Sequence, residues 1–196
     1  MHLENLKKFG KIEQYYFIES SSILNNNINE QELIINWIKE KTNKNDFKFK
    51  LIYKMSEKGK NCKTFHEYCD NKGPTLILIE TTTNRKFGGF TPLNWKSEGG
   101  QIYDKSNQTF IFSLNLKKKY YMFDKEKMAI QCYSNKGPIF GAHDFSLKEN
   151  MSKGQTYANN GCTFLKDHNL ELTGGKGEYE SFDTKEFEVF QVNFND

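Results

Sequence analysis

The sequence has no long apolar run and almost no excess charge. No stretch of its 196 residues approaches the roughly 18 consecutive apolar residues that a membrane-spanning helix needs. The formal net charge is only +3, which is too small to indicate a nucleic-acid-binding face. The start, Met1-His2-Leu3, has neither the apolar core of a secretory signal nor the glycine that myristoylation requires. We therefore expect a cytoplasmic protein with no transmembrane segment and no nucleic-acid partner.

Cysteine is also scarce, and the four cysteines have no regular spacing. They are Cys62, Cys69, Cys132 and Cys162. In a chain of this size without a secretory signal, reduced thiols are expected rather than a disulfide framework. If residues 62–69 form a helix, the first two cysteines lie about 10 Å apart along its axis. A disulfide needs Cα atoms within about 7 Å, so this pair cannot form one.

Motifs of enzyme active sites are missing from the sequence. The run Gly174-Gly175-Lys176-Gly177 resembles a phosphate-binding loop, but no serine or threonine follows the lysine. Neither the G-x-S-x-G motif nor the H-E-x-x-H motif is present. We therefore predict no catalytic residue, no cofactor and no metal ligand, and we expect that the protein is not an enzyme.

The spacing Cys62-x3-His66-x2-Cys69 brings three chemically reactive side chains onto one predicted helix. Zinc needs four ligands within about 2.3 Å of one point, and the helix places the two sulfurs too far apart for this. Cys62 and His66 are neighbours at i, i+4, where a thiolate–imidazole pair would need an orienting acid and an open cleft. The alternative is that His66 forms structural hydrogen bonds at the end of the helix. Cys62, Cys69 and His66 are thus the candidates for a reactive-thiol site.

The basic and aromatic run Lys117-Lys118-Lys119-Tyr120-Tyr121 has two interpretations. It could be a nucleic-acid-binding stripe, or a solvated turn that leads into a strand. The sequence pattern favours the turn.

Aromatic residues are abundant at 15% of the chain, which favours half-buried strands. Asn29, followed by Glu32, has the spacing of a helix cap. Gly88 and Gly89 indicate a bulge or a closely packed backbone in their strand. Asp70 to Pro74 is expected to end the preceding helix, with the glycine in the left-handed conformation. Helices are predicted at 33–38 and 62–69, and strands at 47–53, 75–80, 87–90, 109–114, 119–123, 127–133 and 187–194.

Most predicted connections are short, and no strand–helix–strand alternation runs through the chain. Residues 124–126 are expected to form a hairpin bend, whereas 94–107, 146–160 and 171–184 are expected to be loops. This pattern favours a mainly antiparallel α+β fold with helices packed outside. We divide the chain into an N-terminal extension, residues 1–19, and a single domain, residues 20–196. Asn-Lys-Gly-Pro occurs at 71–74 and again at 135–138, either as an internal duplication or, as we favour, as recurring turn chemistry.

The central segment resembles the TLDc domain family. The similarity lies in "T-F-H-x-x-C-D-N-K-G-P-T-L" at 64–76 and "F-G-G-F-T-P-x-x-W" at 87–95. Further segments at 21–24, 33–38, 109–114, 139–145, 161–164 and 187–190 extend it, although the element at 161–164 is one residue shorter than in the family. The resemblance covers about residues 20–194. It implies a two-sheet β-sandwich flanked by two or more helices.

The resemblance also implies a function. TLDc proteins are associated with binding the vacuolar proton ATPase and with resistance to oxidative stress, and the domain has no agreed catalytic centre. We therefore expect a non-catalytic protein-interaction module. One alternative is a permanent structural or adaptor subunit of a large assembly, such as a cytoskeletal or ciliary one. A second alternative is a thiol-dependent antioxidant that uses Cys62 or Cys69.

Overall fold

The structure is a computed structural model that describes residues 18–124, 126–157, 163–164, 172 and 179–195. The helices are α1 (Ile28–Thr42), α2 (Met55–Lys58) and α3 (Cys62–Cys69). The strands are β1 (Phe47–Lys54), β2 (Thr75–Thr81), β3 (Lys86–Thr91), β4 (Gly100–Tyr103), β5 (Phe110–Ser113), β6 (Lys118–Tyr121), β7 (Met128–Cys132), β8 (Ile139–Phe140), β9 (Phe145–Leu147), β10 (Lys153–Tyr157) and β11 (Tyr179–Phe194). Our predictions for residues 1–17, for Cys162 and for the glycine run 174–177 lie outside the described residues.

The strands form two antiparallel sheets that share one strand. The first sheet has the order β1–β11–β2–β3–β5–β6, and the second has the order β4–β7–β8–β9–β10–β11. Every strand pair in both sheets is antiparallel. The predicted α+β sandwich is therefore confirmed. Within the described residues, no helix has both the length and the apolar character needed to cross a bilayer.

The long strand β11 links the two sheets. Its beginning pairs with β10, and from Thr184 onward it pairs with β2. The register with β2 shifts between Thr184 and Glu186, and such an irregularity lets a strand bend sharply. Our prediction of a loop over 171–184 is wrong for its last six residues, because β10 supplies a partner that the local sequence does not reveal.

Strand β2 is buried on both faces of the first sheet, as its apolar run predicted. Ile77 and Ile79 belong to the core between the two sheets. Leu76 and Leu78 point the other way, into a second core that the first sheet shares with α1. Successive side chains of a strand alternate between faces, so β2 contributes to both cores at once.

The glycines of β3 are needed because other groups pack closely against them. A Cβ on Gly88 would collide with the carbonyl of Ile77, and one on Gly89 would lie 2.6 Å from the ring of Phe140. The register of β3 with β2 and β5 runs without a shift. Close backbone packing, rather than a bulge, therefore explains this Gly-Gly pair.

The end of α3 differs from our prediction in one detail. The helix ends at Cys69 as expected, but the left-handed residue that follows is Asn71, with a φ of 58°. Gly73 is required for a different reason, because a Cβ there would collide with the carbonyl of Leu93. Asparagine tolerates the left-handed region, which leaves the glycine available for close packing.

Other boundaries were predicted wrongly where distant partners decide them. The N-cap of α1 is Asn27 rather than Asn29, and its side chain accepts from the Glu30 N–H at 3.3 Å. The hairpin expected between β6 and β7 is not formed, because β6 pairs in the first sheet and β7 in the second. The expected loops at 94–107 and 146–160 contain β4, β10 and part of β9. These strands are short, and pairing stabilises them more than composition does.

The turn between β4 and β5 is built around one buried carboxylate. Asp104 accepts hydrogen bonds from Ser106, from the Gln108 N–H at 2.9 Å and from the Thr109 N–H and hydroxyl at 2.7 Å. Burial alone would raise the pKa of Asp104, but these hydrogen bonds outweigh that effect and lower it. The ionised form is therefore the one that the folded state stabilises.

Asp104→Asn is expected to lower the free energy of unfolding at pH 7 by about 2 kcal/mol. Because the folded pKa lies below the unfolded one, this stabilisation is present above the unfolded pKa and is lost as pH falls through the folded pKa. Urea unfolding at pH 7, and at several values below about pH 4, should therefore show wild type and variant converging in acid. A difference that stays constant with pH would contradict this account.

Candidate interaction surface

The histidine of the family-like segment connects three parts of the fold. On α3, His66 Nδ1 lies 2.7 Å from Asp70 Oδ1, and Ser97 Oγ donates to the other oxygen of Asp70 at 2.7 Å. His66 Nε2 lies 2.9 Å from the carbonyl of Tyr133 and 3.1 Å from that of Lys136. The imidazole therefore joins α3 to the turn after β7. Asp70 joins α3 to the segment before β4.

The tryptophan of the same segment also has structural contacts. Trp95 is fully buried, and its Nε1 donates to Thr75 Oγ1 at 2.9 Å. Its ring packs edge-on against Phe65 of α3 and Phe140 of β8. A parallel bridge pairs it with Asp70. Helix α3 and Trp95, at the two ends of the family-like segment, thus meet in space, although β2, a bend and β3 separate them in sequence.

The candidate thiols lie in the interior. Cys62, Cys69 and Cys132 are free and buried. Burial, with a further contribution from Asp70, raises the pKa of Cys69 well above its ordinary value and that of Cys132 to about 11. Burial and Glu149 raise the pKa of Cys62. Each of these environments disfavours the thiolate, which is the reactive form of cysteine. Both nitrogens of His66 contact oxygen atoms elsewhere in the fold.

The thiols are expected to react slowly in the folded protein. In a Cys162→Ser variant, labelling by Ellman's reagent at pH 7.5 should report on Cys62, Cys69 and Cys132. With the pKa of Cys132 raised to about 11, its thiolate fraction at pH 7.5 is at least about 100-fold below that of an unfolded thiol, so native labelling of Cys132 should be at least about 100-fold slower than labelling in urea. Rapid labelling of one thiol in the native state would contradict the inert environment and would favour the antioxidant alternative. Peroxide consumption that a Cys62→Ser/Cys69→Ser variant loses would do the same.

Two surface depressions border the sandwich. One, of about 340 Å³, is lined by Lys60, Asn61, Lys148, Glu149 and Asn150. The other, of about 410 Å³, lies beside the bend between β2 and β3 and is lined by Thr82, Thr83, Arg85 and residues 180–183. Neither contains His66 or a candidate cysteine. Among the residues that the structure describes, no group of three or more His, Cys, Asp or Glu side chains could hold a metal ion.

The outer face of the second sheet carries an ordered group of polar and aromatic side chains. Gln101 of β4 pairs with Gln131 of β7. The Tyr103 hydroxyl donates to Gln101 at 3.3 Å, and the hydroxyl of Tyr133, which directly follows β7, donates to Gln131 at 3.3 Å. We call these four residues the Tyr–Gln row. Tyr103 and Tyr133 are 46% and 39% exposed, whereas Gln131 is buried and donates to the Gly141 carbonyl at 2.7 Å.

Sequence reasoning missed the Tyr–Gln row because residues 94–107 were expected to form a loop. Gly99 and Gly100 favoured that interpretation, yet Gly100 begins β4. One signal was present, since Gln101 and Tyr103, like Gln131 and Tyr133, are spaced two residues apart. That spacing places side chains on the same face of a strand. The sequence does not reveal that β4 pairs with β7, so it gave no sign that the two Tyr–Gln pairs lie side by side.

These features define a two-sheet β-sandwich domain in which the family-like residues hold the fold together and tyrosines are exposed on one outer face. The family model of the TLDc domain matches residues 17–193, so the chain belongs to the TLDc family. It is also similar to the GTPase-activating protein skywalker of Drosophila melanogaster, with 34% identity over 71 residues. That match covers 33% of this chain and 12% of skywalker.

Proposed function

We propose that the chain is a non-catalytic, cytoplasmic protein-interaction module of the TLDc type that binds and regulates the vacuolar proton ATPase. The family membership supports the class of module, and the resemblance of the sequence to TLDc proteins motivates the partner. The name of skywalker describes a GTPase-activating protein, of which this chain matches about an eighth.

The observation that carries the proposal is the Tyr–Gln row. Tyrosine is enriched in protein interfaces and among the residues that contribute most to binding, because it offers a large apolar surface and a polar end. The two tyrosine hydroxyls are already hydrogen-bonded to glutamines of the second sheet. Less side-chain freedom is therefore lost when a partner binds.

The proposal that the module is non-catalytic is supported by the hydrogen bonds that the polar side chains of the family-like segment form within the fold. His66, Asp70 and Ser97 form one continuous set of hydrogen bonds between α3 and its neighbours. Trp95 and Thr75 form another inside the core. These contacts stabilise the fold in the absence of any substrate.

The test is binding of the purified chain to purified vacuolar proton ATPase. We expect Tyr103→Ser/Tyr133→Ser to weaken binding at least about 10-fold, as the loss of interface tyrosines commonly does. Ile28→Ser is the matched control: Ile28 is 42% exposed, and α1 covers the first sheet on the opposite side of the molecule. We expect the control to bind like wild type. Equal affinity of the double variant and wild type, or no binding by wild type, would contradict the proposal.

The same experiment separates regulation from a permanent structural role. A regulatory module is expected to exchange with added labelled chain within minutes and to change the rate of ATP hydrolysis. A permanent subunit would instead remain bound through dilution and purification. Complete retention of the labelled chain over hours would favour the structural alternative over the regulatory one.

A further inference from the structure

The hairpin between β5 and β6 combines an exposed apolar side chain with a run of lysines. Leu116 lies in its turn and is 46% exposed. Lys117 and Lys118 follow and are exposed, and Lys119 is partly exposed. We call residues 114–121 the lysine hairpin. The expected solvated turn leading into a strand is thus confirmed, and it presents an isolated leucine beside three positive charges.

Helix α1 adds a fourth lysine to this surface. The Lys41 ammonium lies 4.3 Å from the centre of the Tyr121 ring, and the Lys119 ammonium lies 5.0 Å from the same centre. Glu40 contacts Lys119 and accepts from the Tyr121 hydroxyl at 2.6 Å. Burial lowers the pKa of Lys41, Asp104 opposes that shift, and Lys119 adds to it. Lys41 and Lys119 therefore share Tyr121 with the Glu40 carboxylate, and the exposed Lys117 and Lys118 carry the positive charge that faces solvent.

Two tyrosines complete the surface. The Lys118 ammonium lies 5.1 Å from the centre of the Tyr120 ring, which is partly buried like that of Tyr121. Tyrosine and the long lysine side chain are both suited to the boundary between water and an apolar phase. Leucine is the residue of this group whose transfer out of water lowers the free energy most.

We propose that the lysine hairpin docks on an anionic lipid bilayer, with Leu116 entering the interfacial region and the lysines contacting acidic headgroups. Basic clusters beside apolar side chains bind such surfaces through the combined electrostatic and hydrophobic contributions. The site is peripheral and needs no membrane-spanning segment. It is independent of the proposed binding of the proton ATPase through the Tyr–Gln row.

The observations favour a lipid surface over other anionic macromolecules. Nucleic acid offers no apolar phase for Leu116, and phosphate-backbone recognition commonly uses arginine. Arg85, the one arginine of the sequence, lies at the bend between β2 and β3 and not in the lysine hairpin. An acidic polypeptide would match the lysines but not the exposed leucine. A second copy of the chain would bring like charges together.

The test measures co-sedimentation of the full chain with phosphatidylcholine vesicles that contain about 30% phosphatidylserine. Lys117→Gln/Lys118→Gln is expected to weaken binding about 30-fold, since each lysine near an anionic surface contributes about fivefold. Leu116→Ser alone is expected to weaken it about fivefold. Lys41 and Lys119 are left unchanged because they hold α1 against β6. A matched thermal unfolding curve confirms that each variant is folded.

The control has the same charge change elsewhere. Lys48 and Lys50 are exposed on β1, at the opposite edge of the first sheet, and Lys48→Gln/Lys50→Gln is expected to retain wild-type binding. Binding should also fall in high salt and be weak on pure phosphatidylcholine. The proposal would be overturned if both double lysine variants lost the same binding affinity, or if wild type bound neutral and anionic vesicles equally. So would no vesicle binding, or tighter binding to polyglutamate or DNA than to vesicles.

Discussion

Gly88→Ala is expected to lower the free energy of unfolding by about 4 kcal/mol, through a single added methyl group. The new Cβ would collide with the carbonyl of Ile77, which is main chain in the neighbouring strand and has no side-chain rotamer that could relieve the overlap. Strands β2 and β3 would have to separate at the centre of the first sheet. Urea unfolding followed by tryptophan fluorescence measures the loss.

Gly100→Ala provides the comparison. No atom lies within 4 Å of a Cβ at this position, but the residue has a φ of +61°. Alanine there is expected to cost about 1 kcal/mol, from backbone strain alone. If both variants lose the same amount, the close packing of β3 against β2 does not explain the Gly-Gly pair.

Glu188→Ala is expected to be comparably damaging, at about 4 kcal/mol. Glu188 lies on β11 and is fully buried. Its carboxylate accepts from Ser21 Oγ at 2.6 Å and from both the N–H and the hydroxyl of Ser22 at 2.8 Å. These contacts hold the segment before α1, including the buried Ile23, against the first sheet. Removal of the carboxylate leaves the buried Ser21 hydroxyl without its acceptor and releases the N–H and hydroxyl of the exposed Ser22.

Two controls separate the loss of this contact from the loss of a charge. Ser22→Ala removes one donor and is expected to cost about 1 kcal/mol. Glu57→Ala removes the same charge from an exposed glutamate that pairs with Lys54, and it is expected to change stability by less than about 0.5 kcal/mol. Equal effects of Glu57→Ala and Glu188→Ala in urea unfolding would contradict a specific role for the buried carboxylate.

The parts of the fold that the sequence predicts are those that local pattern determines. The stripe of Cys62, Phe65 and Cys69 correctly predicted α3, because all three side chains face the core from one side of a helix. The apolar run 75–80 correctly predicted β2, because a strand that is buried on both faces has apolar residues at successive positions. Both Asn-Lys-Gly-Pro turns lead into strands, β2 in the first sheet and β8 in the second.

The parts that the sequence did not predict depend on pairing between distant residues. Gln101 and Gly100 have little strand preference, and β7 holds them in a strand from about 30 positions away. The passage of β11 between sheets likewise depends on β10 and β2, which lie far apart in sequence. The Tyr–Gln row arises only when β4 and β7 are in register. The candidates Cys62, Cys69 and His66 were visible from spacing, but their burial and their contacts were not.

The most direct test of binding through the Tyr–Gln row is deuterium exchange of the chain, free and bound to purified vacuolar proton ATPase. Our account predicts that binding slows exchange in residues 100–103 and 128–133 of the second sheet, while α3 exchanges equally in both states. Protection confined to α3 and the segment around His66, with no change in β4 and β7, would contradict it.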